Sequence, residues 1–103
     1  MTPRYCALVP TYDNPDTVRR VVERLRAHVS DVVVVDDGSG PGGRAACEAL
    51  ARDGLAHVVH RAQNGGKGAA VKTGFVAARD LGFTHVLQVD ADGQHDIDAA
   101  PAG

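Results

Sequence analysis

The stretch DVVVVDDGSG, residues 31–40, carries the strongest structural signal in the sequence. It contains four consecutive valines, and such a run without polar alternation is typical of a strand that is buried on both faces. Strands of this kind belong to parallel sheets that helices cover on both sides. The run ends at Asp36 and Asp37, which are followed by a glycine-rich turn. The sequence therefore predicts a buried parallel strand over residues 31–35, with two carboxylates at its carboxyl end.

Helical and β-rich segments alternate on both sides of this strand. In the first predicted helix, Asn14 is the expected N-cap and Pro15 the first helical residue. Strands that are joined by helices pair in parallel with right-handed crossovers. We therefore predict an α/β fold of order βαβαβαβ, an open, mostly parallel sheet with flanking helices. Apolar patterns place the other strands at residues 5–9, 56–60 and 84–89, and the helices at residues 14–29, 44–53 and 67–81.

Composition limits the class of protein. A length of 103 residues allows one domain, which we expect to span residues 1–103. The formal net charge of -2 argues against a nucleic-acid binder that works through bulk charge. No apolar run approaches the ~20 residues that cross a bilayer, and the N-terminus does not resemble a signal peptide. We therefore expect a cytoplasmic protein, or the cytosolic part of a membrane protein, with Cys6 and Cys47 as reduced, partly buried thiols.

Polar segments follow all four predicted strands, and the carboxyl ends of parallel strands meet at one edge of the sheet. Ligands bind at that edge in open α/β folds. It gathers five carboxylates, and their mutual repulsion makes a divalent cation with oxygen ligands the natural partner. Because Asp90 and Asp92 can reach one ion, we expect a metal there that bridges to a diphosphate. The alternative is that the aspartates after the last strand only form turns. The five residues are Asp36, Asp37, Asp90, Asp92 and Asp96.

Lys67 lies on the same edge, at the start of a predicted helix. A helix N-terminus favours anions, and the neighbouring Gly65, Gly66 and Gly68 let a ligand approach the backbone. The alternative is a flexible loop with a solvated lysine. Neither the dinucleotide motif G-x-G-x-x-G after the first strand nor a P-loop is present, so neither familiar phosphate motif explains the edge.

Four segments resemble the family-2 glycosyltransferases, and most of all the polyprenol-phosphate sugar synthases of the dolichyl-phosphate mannose or glucose type. The resemblance implies a GT-A fold, of which this chain would be the N-terminal, Rossmann-like, nucleotide-binding half. It also implies inverting transfer of a sugar from a UDP- or GDP-sugar, with a polyprenyl phosphate as one acceptor. The segments are VPTY at 9–12, VDDGS at 35–39, NGGKGAAV at 64–71 with Gly74-Phe75, and VDADGQH at 89–95.

The resemblance also implies roles for single residues. Pro10, Thr11 and Tyr12 would bind the nucleotide, with Pro10 and Tyr12 against the base. Asp37 would hydrogen-bond the base with support from Asp36. Lys67 would lie near the nucleotide, and Asp90 would contact both donor and metal. Asp90 and Asp92 would form the D-x-D motif that holds Mg²⁺ or Mn²⁺ on the diphosphate, and Gln94 would complete the metal ligands. The sequence indicates no catalytic base.

Two departures from the family pattern matter. Asp13-Asn14 stands where the family often has Asn-Glu, so a base or ribose contact there stays open. Family members also continue well over a hundred residues past D-x-D, so we expect the acceptor pocket, and any contact with a membrane, outside this chain. The fourth strand, or whichever strand the remaining part would cover, should then be partly exposed. The alternative function is a truncated, non-catalytic nucleotide-binding fragment. A nucleotide-sugar pyrophosphorylase is disfavoured because it needs a glycine-rich, basic loop after the first strand.

Overall fold

The structure, a computed structural model, describes residues 2–91. Strands and helices alternate along this part of the chain, so the predicted βαβαβαβ order is confirmed. The elements are β1 Tyr5–Thr11, α1 Val18–Leu25, β2 Val32–Asp37, α2 Pro41–Arg52, β3 His57–Arg61, α3 Lys67–Asp80 and β4 His85–Gln88.

The four strands form one parallel sheet in the order β3-β2-β1-β4. β2 and β3 follow β1 on one side of it, whereas β4 pairs with β1 on its other side. The order of strands therefore reverses between β1 and β4. In open α/β sheets, the crevice at such a reversal, outside the carboxyl ends of the strands, is the place where ligands bind.

The valine run of β2 forms the centre of the core. Val32 and Val34 belong to the apolar cluster under α1 and α2, whereas Val33 and Val35 belong to the cluster under α3. All four side chains have 0% exposure, which confirms the prediction that this strand is buried on both faces. Burial of one such side chain stabilises the fold by about 1.5–3 kcal/mol before entropy is subtracted.

The first strand is longer than predicted, because β1 continues through Pro10 to Thr11. Proline is tolerated there because β4 pairs with β1 only as far as Leu8 and Gln88. The carbonyl of Leu8 accepts a hydrogen bond from the Val89 N–H on the β4 side. The Pro10 nitrogen faces the same side two residues later, where the pairing has ended and no N–H is needed.

The start of the first helix was also predicted wrongly. α1 begins at Val18 with Thr17 as its N-cap, and Asn14 instead shapes the preceding turn. The backbone carbonyl of Asn14 accepts hydrogen bonds from Thr17 N at 3.2 Å and Val18 N at 3.0 Å. The Thr17 hydroxyl donates to the Ala91 carbonyl at 2.7 Å, which ties this turn to the segment that follows β4.

Other boundaries also differ from the prediction, and α1 ends at Leu25 rather than at residue 29. α2 begins at Pro41 rather than at residue 44, since proline is well tolerated in the first turn, where its missing N–H would have no helical partner. β2 continues to Asp37, so both carboxylates of the Asp36-Asp37 pair stand in the strand and not in the turn. The site is therefore held by a regular element.

Among the described residues, β4 is an edge strand, and its Leu87 side chain is 57% exposed. Cys6 and Cys47 are free and buried, and burial raises the pKa of Cys47 to about 12, which leaves an unreactive thiol.

Within residues 2–91, no helix combines the length and the apolar character that crossing a bilayer requires.

Candidate functional site

A cavity of about 320 Å³ opens at the carboxyl ends of the strands, beside the reversal between β1 and β4. Its lining contains every described residue that was predicted to bind nucleotide, except Asp36. The structure therefore brings these segments together as the parallel topology predicts, while Asp92 and Gln94 lie outside the described residues. The lining residues are Pro10, Thr11, Tyr12, Asn14, Asp37, Asn64, Gly66, Lys67, Ala70, Asp90 and Ala91.

A second cavity, of about 650 Å³, lies at the opposite end of the sheet, among residues such as Arg4, His28 and His85. It is the larger of the two, but it lies at the amino ends of the strands. The smaller cavity is the better candidate site, because ligands of open α/β sheets bind at the carboxyl ends. The polar loops also converge there.

The loop after β1 presents an aromatic side chain to the cavity. Tyr12 is 50% exposed, and its backbone N–H donates to Asn14 Oδ1 at 3.2 Å. The Thr11 hydroxyl donates to the same oxygen at 3.1 Å. Because a backbone N–H can only donate, the amide oxygen of Asn14 must face Tyr12. Asn14 thus fixes the path of the chain that carries the Tyr12 ring.

Asp13 joins the loop after β1 to the loop after β2. Its backbone N–H donates to Ser39 Oγ at 2.9 Å, and its carboxylate Oδ1 accepts from the Gly40 N–H at 2.7 Å. Asp13 has a φ of 53°, a left-handed conformation that aspartate adopts more readily than most residues. Two neighbouring loops of the site are therefore held at a fixed separation.

Asp37 lies on the floor of the cavity and binds three donors of the protein itself. Its Oδ1 accepts from Arg61 Nε at 2.8 Å and from Gly65 N at 3.1 Å, while its Oδ2 accepts from Gly66 N at 2.9 Å. Its side chain is only 4% exposed. The carboxylate therefore fastens the end of β2 to the loop before α3. The base contact implied by the resemblance stays a prediction.

Asp36 lies behind the cavity. Its Oδ1 accepts from the Ser39 N–H at 3.0 Å, and its Oδ2 pairs with His60 Nδ1 at 2.7 Å. Burial by itself would raise the pKa of Asp36, but the hydrogen bonds from Ser39 and His60 outweigh it and hold the pKa below its ordinary value. Asp36 is therefore an ionised, buried anchor for the loop after β2.

Lys67 and Asp90 both line the cavity and form an ion pair with each other. Lys67 Nζ lies 2.5 Å from Asp90 Oδ1, and Lys67 is the first residue of α3, where the helix dipole also favours an anion. Within the described residues, no three side chains of the metal-binding types form a group that could hold an ion. Asp90 nevertheless offers a carboxylate oxygen of the kind that Mg²⁺ and Mn²⁺ prefer, at a position where a cation is already favoured.

Arg61 is the main feature that the sequence did not indicate. The predicted third strand stops at residue 60, but Arg61 ends β3, and its guanidinium bonds to Asp37 and to Thr73 of α3. A basic residue at the carboxyl end of a predicted strand, on the same edge as two aspartates, was the signal that could have indicated it.

The sequence also matches a known family over most of its length. Residues 6–102 match the model described as glycosyl transferase family 2. The chain belongs to glycosyltransferase family 2. Its four-stranded parallel sheet with flanking helices is the GT-A fold that this family predicts. The resemblance drawn from the four sequence segments is confirmed.

Two curated relatives of this family-2 glycosyltransferase carry related names. It is 37% identical over 101 residues to an undecaprenyl-phosphate mannosyltransferase of Micrococcus luteus, covering 95% of this chain and 42% of that protein. It is 36% identical over 98 residues to a polyprenol monophosphomannose synthase of Mycolicibacterium smegmatis, covering 91% of this chain and 37% of that protein. The chain therefore spans less than half the length of these relatives.

A solved structure gives a similar result. The crystal structure of S. aureus TarS 1-349 superposes with a TM-score of 0.66 and 26% sequence identity, over 86% of this chain and 27% of that one. The superposition again concerns only one part of a longer chain.

Proposed function

We propose that this chain is the donor-binding part of an inverting glycosyltransferase that takes its sugar from a UDP- or GDP-sugar. The observation that carries the proposal is the cavity beside the reversal of strand order, in which an aromatic ring, a lysine and a carboxylate converge. A nucleotide diphosphate presents the matching groups, namely a flat base, two phosphates and oxygens that bind a metal.

In the proposed complex, the base lies against Pro10 and Tyr12, and Thr11 contributes to the same side of the pocket. Asp37 hydrogen-bonds the base, and Asp36 supports that site through the loop at Ser39. The support for this arrangement is that Tyr12 and Asp37 share one cavity and that their loops are fixed to each other. Stacking of a base on an aromatic side chain is worth about 1–3 kcal/mol in single-stranded nucleic-acid complexes.

The diphosphate lies toward Lys67 and the N-terminus of α3. Asp90, Asp92 and Gln94 would hold Mg²⁺ or Mn²⁺ on its oxygens. The metal, when bound, offsets the negative charge that grows on the leaving diphosphate. Lys67 adds a positive charge on the same side of the cavity. In the structure, its ammonium group is paired with the negatively charged Asp90 side chain, and we propose that it attracts the negatively charged diphosphate in the same way.

The acceptor that we propose is a polyprenyl phosphate, and the names of both mannosyltransferase relatives support it. A lipid phosphate is already an anionic nucleophile, so it needs little help from a general base. Such an acceptor would bring the reaction to the cytosolic face of a membrane.

Calorimetric titration with UDP and with GDP, each with and without Mn²⁺, tests the donor site. We expect one nucleotide to bind and Mn²⁺ to strengthen its binding. Lys67→Met should weaken binding about tenfold, which is about 1.4 kcal/mol, because a partly exposed charge on the diphosphate is lost. Lys72→Met is the matched control, since Lys72 lies exposed on the same helix but outside the cavity lining.

The metal assignment has its own variant. Asp92→Ala should remove the strengthening by Mn²⁺ while the metal-free affinity stays. Unchanged metal dependence would contradict the ligand assignment, and a folded protein that binds neither nucleotide would overturn the proposed function. A sugar-transfer assay distinguishes the non-catalytic alternative, in which the nucleotide binds but no sugar is transferred by this chain.

A further inference from the structure

The Arg61 side chain joins three elements of the fold. From the end of β3, its Nε donates to Asp37 Oδ1 on β2 at 2.8 Å, and its Nη1 donates to Thr73 Oγ1 on α3 at 2.6 Å. Its side chain is 28% exposed, and Arg61 is absent from the cavity lining. It therefore does not face the proposed ligand, although it is bonded to a residue that does.

The same contacts fix the loop that leads to Lys67. The carboxylate that Arg61 holds accepts the N–H groups of Gly65 and Gly66, the two residues just before Lys67. Gly65 also packs beneath the guanidinium, since a Cβ built on Gly65 would lie 2.6 Å from Arg61 Nη2. The start of α3 is thus tied to β2 from one side and covered by Arg61 from the other.

The positive charge of Arg61 also offsets the negative charge of Asp37 near the proposed ligand. Asp37 is a buried anion on the floor of a cavity that we propose binds a diphosphate, and an unpaired carboxylate there would repel the ligand. The guanidinium of Arg61 pairs with that carboxylate from outside the cavity. Lys67 and the amides at the start of α3 are then left to act on the ligand.

The arrangement requires the shape of arginine. A guanidinium carries Nε and Nη1 in one rigid plane, so it can bond to Asp37 and Thr73 at the same time. A lysine has a single ammonium group at the end of a flexible chain. It could pair with the carboxylate, but it would not hold β2 and α3 in one geometry.

We propose that Arg61, with Thr73, is the positioning residue that sets Lys67 for the donor diphosphate, because it holds Asp37 and, through Asp37, the Gly65 and Gly66 amides that precede Lys67. Arg61 acts through Asp37 and the loop and does not touch the ligand. This inference rests on the proposed function of the cavity. It assigns a role in donor binding to an ion pair that could otherwise serve stability alone.

A double-mutant cycle on nucleotide affinity separates these two roles. Arg61→Gln, Lys67→Met and the double variant are titrated with UDP and GDP in the presence of Mn²⁺, after circular dichroism shows that each is folded. We expect Arg61→Gln alone to weaken binding about tenfold, but only about twofold in the Lys67→Met background, because coupled residues are not additive. Arg79→Gln, an exposed arginine on α3, is the control and should change nothing.

Two milder variants cover the case in which Arg61→Gln does not fold. Thr73→Val keeps the shape of the side chain and removes one hydrogen bond of Arg61. Arg61→Lys keeps the charge and loses the planar guanidinium that carries two donors. Each should weaken binding about threefold, again only when Lys67 is present. A loss of equal size in both backgrounds would overturn the inference.

The outcomes also separate this inference from the proposed function. If the wild-type chain binds neither nucleotide, both are overturned. If it binds, Lys67→Met weakens binding, and the cycle is additive, the donor site stands and the positioning role of Arg61 fails.

Discussion

Replacing Asp37 by asparagine tests how far the candidate site depends on one buried carboxylate. In the wild type, the two carboxylate oxygens accept from three donors, namely Arg61, Gly65 and Gly66. The asparagine side chain of the Asp37→Asn variant would keep one acceptor oxygen and would place an NH₂ group where the other oxygen stood. At least one of the three donors would then face another donor.

The expected cost follows from burial. Removing one partner of a buried ion pair costs about 3–5 kcal/mol, and an unsatisfied buried donor alone costs about 1–3 kcal/mol. The Arg61 side chain is 28% exposed and can turn partly to water, whereas that of Asp37 is only 4% exposed. We therefore expect a loss of about 3 kcal/mol in the free energy of unfolding, which is a large share of the ~5–15 kcal/mol of a typical domain.

Denaturant unfolding followed by circular dichroism measures this loss. The thermal midpoint should fall by roughly 12–24 °C, given about 4–8 °C per kcal/mol for a domain of this size. Asp13→Asn is the matched control on the same edge of the sheet. It keeps the oxygen that accepts from Gly40, breaks no ion pair within residues 2–91 and suits a positive φ, so its effect should stay within about 0.5 kcal/mol.

The two variants are compared under identical conditions. If Asp37→Asn costs less than about 1 kcal/mol, or no more than Asp13→Asn, then the carboxylate does not hold the loop before α3 as described.

Three further predictions concern packing, pH and the base. Gly74→Ala should cost about 1–2 kcal/mol because its Cβ would meet the buried Leu8 side chain, whereas Gly68→Ala on the same helix meets nothing within 4 Å and should be neutral or stabilising; equal unfolding free energies would contradict this. Because the folded pKa of Asp36 is lowered, its contribution to stability is present above its unfolded pKa and is lost as the pH falls through the folded value. Asp36→Asn should therefore have a lower free energy of unfolding than the wild type at pH 7, and this free energy should fall less steeply below about pH 4. Parallel pH profiles of the two proteins would contradict this. Tyr12→Ala should weaken nucleotide binding about tenfold while Tyr12→Phe leaves it unchanged, and calorimetry that finds both alike would exclude stacking.

The fold was largely predictable from the sequence because one signal, the valine run of β2, has few structural solutions. Local boundaries were less predictable, because tertiary contacts decide them. Asn14 looks like a helix cap, but its side chain binds Thr11 and the backbone of Tyr12 instead. Pro10 looks like the end of a strand, but it is tolerated because β4 has already stopped pairing at that level.

The sequence allowed a prediction of which residues lie at the candidate site, but not of the hydrogen bonds that they form with one another. Parallel strands bring Tyr12, Asp37, Lys67 and Asp90 to one edge whatever the order of the strands. The contact of Asp37 with Arg61 depends on β3 lying next to β2, and no strand order was derived from the sequence. Residues 92–103 lie outside the described part of the chain, so the roles of Asp92 and Gln94 stay predictions.

The proposed function depends above all on the cavity at the carboxyl ends of the strands binding a nucleotide diphosphate. Amide chemical-shift mapping by NMR, with UDP and then GDP added in the presence of Mg²⁺, detects such binding residue by residue. We predict the largest shifts at Tyr12, Asn64 and Gly66, which line that cavity, with Arg4 and His85 at the opposite cavity unmoved. Shifts that cluster at Arg4 and His85, or no shifts with either nucleotide, would contradict the proposal.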